Sequence, residues 1–355
     1  MYLVARMLKK DAIYSIQALR AIAASLVVVL HSYVYLEARN IIPNVPNFVN
    51  SGRAGVDIFF VISGFIMIYI SGKDFGVKGK AGRFITKRII RIVPIYWFYT
   101  MVMATLLFVF PYLFSQGKTF SLGHLLASLS FVPWPNSIGQ IKPILSVGWT
   151  LNFEMYFYII FSMLLLLQKK YFIPLLAIFL LSGFIIGLLY KPQSSIFYVI
   201  TSPLLIEFLY GSIIGIYYKR GLMLSTNLCV FLITCGTTLL FLTGIYDFGD
   251  IPREIKWGFS GALLVTGFVF LERNGQLVIP SWLVELGGSS YSLYLTHIFI
   301  INATGKIWVT VFGMMYDVFV IVAILSSIVA GHIAYILFEK PLTAYLNNIY
   351  HRYSQ

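Results

Sequence analysis

Two histidines, two carboxylates and three arginines lie within or at the ends of stretches apolar enough to cross a membrane; together they offer proton transfer and anion binding. "SIQALRAIAASLVVVLHSY", residues 15 to 33, carries Arg20 and His31 eleven positions apart. On a helix that spacing is about three turns, about 16 Å, with both side chains on nearly the same face. A charge at the centre of a spanning helix costs about 2.5 to 3.5 kcal/mol, so the pair calls for a polar interior. The plainer alternative is that Arg20 snorkels and His31 is interfacial.

The next apolar stretch, "GRAGVDIFFVISGFIM", places Asp57 at the depth where His31 ends the first. Consecutive helices are normally neighbours, so Asp57 is expected to orient the His31 imidazole as a general base requires; capping of its own helix is the alternative. In "GRFITKRIIRIVPIYWFY", Arg88 and Arg91 are three apart and share a helical face, a donor pair suited to phosphate oxygens as well as to ordinary cytoplasmic anchoring. "VGWTLNFEMYFYIIF" puts Glu154 inside the membrane, where it must face a cavity or a partner; it is the second candidate to orient His31. Trp149 in the same stretch is a substrate-contact candidate or a belt residue. "LGGSSYSLYLTHIFIIN" contributes Ser289, Tyr291 and His297 as oxyanion or substrate contacts, with interhelical hydrogen bonding as their structural use.

The elements that must hold these groups are spanning helices. The 355 residues are 59% apolar and only 11% charged, outside the range of soluble domains. Apolar runs fall at about 13 to 36, 54 to 71, 86 to 112, 146 to 168, 171 to 190, 202 to 218, 226 to 246, 256 to 272, 284 to 303 and 315 to 338. The expected fold is an all-α polytopic membrane bundle of about ten helices, one membrane domain over 1 to 355 without a soluble appendage. The third span is expected to tilt or kink near Pro94, and the loop from 113 to 145 to hold a short helix at 121 to 131.

An even helix count puts both termini on one side, and charge chooses the side. Arg6, Lys9, Lys10 and the basic cluster from Lys73 to Arg91 share it with Lys169, Lys170, Lys219, Arg220, Arg273, Lys340 and Arg352. The other side holds Arg39, Arg53, Lys118, Lys142, Lys191, Arg253, Lys256 and Lys306 over longer loops, so both termini are expected to be cytoplasmic. The first apolar stretch contains Arg20 and lacks a small-residue cleavage site, which favours a spanning helix over a signal peptide. The net charge of +13 is dispersed over short loops and does not indicate nucleic acid. Cys229 and Cys235 lie on different faces of one helix, so neither a disulfide nor a metal site is expected.

In this order, "SIQALRAIAASLVVVLHSY", "GVDIFFVISGF", "KRIIRIVPIYW", "GWTLNFEMYFY" and "SYSLYLTH" resemble blocks of the acyltransferase family three of integral membrane proteins. Within that family the chain is most similar to bacterial exopolysaccharide and lipopolysaccharide O-acetyltransferases of the cytoplasmic (inner) membrane. The resemblance implies that acetyl-CoA made inside donates its acyl group to an extracytoplasmic acceptor, a polysaccharide or lipid-linked sugar. It also implies that His31 is needed for transfer and that Arg88 and Arg91 bind the phosphorylated end of CoA. Some larger relatives carry an extracytoplasmic hydrolase-like domain; with Gln355 soon after "FEKPL", direct transfer or a separate extracytoplasmic partner is expected here.

The expected enzyme binds the CoA phosphates at Arg88 and Arg91, lines the pantetheine route with Arg20, and uses His31 as general base or transient acyl carrier. Asp57 or Glu154 orients His31, and Tyr291 or Ser289 donates to the oxyanion. The rival reading is a proton-coupled transporter using the same buried Arg, His and Glu residues.

Overall fold

Apolar runs with few charges leave the backbone no partner in hydrocarbon except itself, so they must fold as helices. The computed structural model describes residues 13–114, 119–190, 194–246, 248, 251–312 and 315–353; Arg6, Lys9, Lys10, Lys118 and Lys191 lie outside the described residues. In chain order the helices are α1 Tyr14–Ala38, α2 Ala54–Ser71, α3 Lys80–Val109, α4 Leu122–Leu129, α5 Trp149–Leu164, α6 Lys169–Leu189 and α7 Ser195–Ile200. They continue as α8 Ile206–Lys219, α9 Thr226–Ile245, α10 Phe259–Arg273, α11 Ser281–Gly288, α12 Ser290–Phe312, α13 Tyr316–Ala334 and α14 Lys340–Tyr353. Apart from one isolated bridge between Pro135 and Ile141, there is no β-structure among the described residues.

The fold is the expected polytopic helical bundle. Among the described residues eight helical segments are long and apolar enough to span a membrane. α5, with 16 residues, and α12, with Ser292, Thr296, His297, Asn302 and Lys306, complete the ten expected positions. α3 starts earlier than expected, at Lys80, and contains Pro94; α4 is the expected short helix in the long loop. The expected ninth span, 284 to 303, is instead two helices, α11 and α12, parted at Ser289. Gly287 there lies so close to the backbone of Gln17 in α1 that no side chain would fit.

α2 is the central helix, 78% buried over its apolar window, whereas the windows of α6 and α9 are 17% and 22% buried and present their apolar faces outward. α2 meets α1 at Gly55, where a Cβ would strike the Ala23 carbonyl, and α8 at Gly64, where one would strike the Phe208 carbonyl. These close approaches bring the ionisable residues of separate helices to one interior.

Candidate active site

α1, α2, α3, α5 and α12 enclose a cavity of about 320 Å³ lined by Arg20, Arg88, Arg91, Glu154 and Tyr291. Glu154 is the one carboxylate among its described lining residues, and it is already engaged: it accepts from the Tyr158 hydroxyl and, at 3.3 Å, from Ser63 Oγ. No ion pair holds Arg20, Arg88 or Arg91 among the described residues. The guanidinium of Arg88 lies 5.9 Å from the Phe84 ring centroid, and its buried Nε has no partner among the described residues; Gln17 Oε1 and Ser290 Oγ on the same walls are likewise buried and unpaired there. Three guanidiniums against Glu154 and the nearby Glu339, whose charge acts on Arg20 and Arg91, still leave an excess of positive charge that an anionic ligand would neutralise.

A second cavity, about 310 Å³, is lined by His31, Arg53, Trp149, Asn152 and Arg253. The two cavities share Val56 and Tyr294 as lining residues, so they adjoin. The Tyr294 hydroxyl fixes that boundary by donating to Val147 O at 2.8 Å beside Thr150 Oγ1 at 3.0 Å. Arg20 and His31 of one helix thus line successive cavities, as their common face requires.

His31 is joined to His297. His31 Nδ1 lies 3.0 Å from Val27 O and 3.1 Å from His297 Nε2, while His297 Nδ1 lies 3.2 Å from Leu293 O. A carbonyl oxygen only accepts, so both Nδ1 atoms carry the hydrogen. His297 Nε2 then accepts from His31 Nδ1, and the unprotonated nitrogen of His31 is Nε2.

This pairing corrects the expected partners of His31. Asp57 is fully buried and engaged by Arg253, whose Nη2 donates to Oδ2 at 2.7 Å and whose Nε donates to Oδ1 at 2.9 Å. A bidentate guanidinium occupies both carboxylate oxygens, which turns Asp57 into an ion-pair anchor. Glu154 faces the arginine cavity. The expected oxyanion donors are also elsewhere: Tyr291 donates to Ile92 O at 2.8 Å and Ser289 Oγ to Leu286 O at 3.0 Å, and neither lines the cavity of His31. Trp149 does line it, with the Arg253 guanidinium 5.8 Å from its ring centroid.

In the sequence Arg253 and Arg53 read only as loop cations, and Asn152 carries no signal of its own. A signal for Arg253 was present, because a buried carboxylate such as Asp57 demands a counter-charge. Glu339 of "FEKPL" is not among the expected site residues; it is 5% exposed and accepts from Ser292 N at 3.1 Å and Ser292 Oγ at 2.7 Å, tying the end of the chain to α12. Among the described residues no group of three or more His, Cys, Asp or Glu could hold a metal ion.

Residues 13–336 match the family described as "Acyltransferase domain". The chain is 37% identical over 295 residues to the exopolysaccharide production protein ExoZ of Rhizobium meliloti (strain 1021), covering 82% of this chain and 89% of that protein. It is 25% identical over 326 residues to the O-acetyltransferase OatA of Staphylococcus aureus (strain NCTC 8325 / PS 47), covering 83% of this chain and 53% of that protein, about half its length. No solved structure matches.

Proposed function

Because this chain belongs to the acyltransferase domain family and is an integral membrane acyltransferase, we propose that it transfers acetyl from acetyl-CoA to a sugar hydroxyl of an exopolysaccharide or its lipid-linked precursor. The observation that carries this reading is the pair of adjoining cavities, with guanidiniums outside any ion pair among the described residues in one and a histidine pair in the other. The phosphates of CoA meet Arg88 and Arg91, Arg20 flanks the pantetheine arm, and the thioester passes Val56 and Tyr294 to reach His31. The arginine end faces the cytoplasm, where positive charge accumulates and acetyl-CoA is made, and both termini lie on that side. The protein resides in the bacterial inner membrane.

At the far end His31 Nε2 takes the proton of the acceptor hydroxyl as its oxygen attacks the thioester carbonyl carbon. The carbon–sulfur bond then breaks, and the departing CoA thiolate recovers that proton from His31. While His31 is an imidazolium, the Nε2 lone pair of His297 accepts from its Nδ1–H and steadies the charge. His297 is therefore a positioning residue, filling the place expected for Asp57 or Glu154.

The test is transfer of radiolabelled acetyl from acetyl-CoA to surface polysaccharide by reconstituted protein. His31→Ala is expected to lower it by about 10²- to 10⁴-fold, the usual worth of a general base, with membrane insertion unchanged. Undiminished labelling in that variant would overturn the assignment.

A further inference from the structure

The histidine cavity is cationic as well as catalytic. Arg53, Lys142 and Arg253 line it, and no carboxylate does among its described lining residues. Asp57, wholly buried behind the wall, neutralises Arg253. Arg53 differs: it ends the 3₁₀ segment Asn47–Arg53, is exposed, and its guanidinium has neither hydrogen bond nor ion pair among the described residues. Across the cavity, Asn152 of α5 is 6% exposed, yet its carboxamide makes no hydrogen bond among the described residues. A carboxamide on the cavity wall, with an acceptor and two donors, is suited to a hydroxyl of a bound molecule. At about 310 Å³ the cavity is at the small end of ligand pockets, about 300 to 1,000 Å³, which suits one sugar ring better than an extended chain.

We propose that the acceptor is an anionic saccharide: Arg53 holds a carboxylate or phosphate on or beside the acetylated sugar, and Asn152 holds a neighbouring hydroxyl. This rests on the acetyl-transfer reading and adds the acceptor's charge class. The guanidinium and the carboxamide together select the sugar and hold its hydroxyl near His31. The anion has two sources, an acidic group on the saccharide or the diphosphate of a lipid carrier, and both present the same oxygens to Arg53.

The experiment uses full-length protein in nanodiscs with radiolabelled acetyl-CoA and three acceptors: a neutral oligosaccharide, its uronic-acid analogue, and the neutral oligosaccharide on polyprenyl diphosphate. The wild type is expected to favour at least one charged acceptor over the neutral one by about tenfold or more in kcat/KM, the effect of one charge-assisted hydrogen bond. Which charged acceptor wins identifies the anion's source. In Arg53→Gln the ratio of charged to neutral transfer should fall towards one, and in Arg53→Lys it should largely survive. Because the ratio is taken within one preparation, loss of folded protein does not alter it. Equal use of neutral and charged acceptors by the wild type, or a preference that survives Arg53→Gln, overturns the anionic-acceptor proposal and leaves acetyl transfer standing. Labelling of none of the three overturns the acetyl-transfer reading as well.

Discussion

The two cavities are built from much the same helices and both hold guanidinium groups outside any ion pair, but only one of them holds a histidine pair. In the arginine cavity three guanidiniums stand outside any ion pair among the described residues, and the one carboxylate among the described lining residues is occupied by Tyr158 and Ser63. In the histidine cavity Arg253 is bidentate on Asp57, and each imidazole has its Nδ1 hydrogen bonded. A region that leaves cations unmatched is prepared for an anionic ligand, whereas one that fixes tautomers is prepared to move a proton. The division of labour proposed for the two ends rests on that difference, and it can be broken at either end.

The largest effect is expected at the anchor. Arg253→Met leaves the wholly buried Asp57 carboxylate without its counter-charge, and thermal unfolding in detergent should show a loss of about 3 to 5 kcal/mol. Combining it with Asp57→Ala should recover much of that loss; a double variant as unstable as the single one would refute the pairing as the cause. Next comes the histidine pair: His297→Leu should reduce kcat by about 10²-fold, the cost of misplacing a catalytic group by about 1 Å, with donor KM little changed. His297→Gln supplies an amide acceptor for His31 Nδ1–H and should restore part of kcat, which a purely packing role would not produce.

At the other end, Arg88→Gln and Arg91→Gln should each raise the donor KM by about tenfold or more while kcat holds. 3′-Dephospho-CoA should compete worse than CoA against the wild type, and that discrimination should shrink in the variants. Equal competition against the wild type would remove the phosphate role. Tyr291→Phe is expected to be the mildest: its hydroxyl is bonded to Ile92 O, so stability should fall by about 1 kcal/mol with transfer retained. A large drop in kcat there would instead return Tyr291 to the oxyanion role.

Sequence alone determined the helical membrane fold, the positions of the ten apolar stretches and the spacing of Arg20 to His31 and of Arg88 to Arg91. Those follow from residue type and helical period, which are local properties. It also marked Glu154 as a group that must face a cavity or a partner, because an ionisable side chain in hydrocarbon is costly wherever the helix goes. Tertiary structure decided who the partners are: Arg253 reaches Asp57 across 196 positions, and His297 reaches His31 across 266. Neighbourhood in sequence favoured Asp57 for His31, but the approach of α1, α2 and α12 is set by packing at residues such as Gly55, Gly64 and Gly287. Helical periodicity says which face of a helix a group occupies; only the packing of all the helices says which other face it meets.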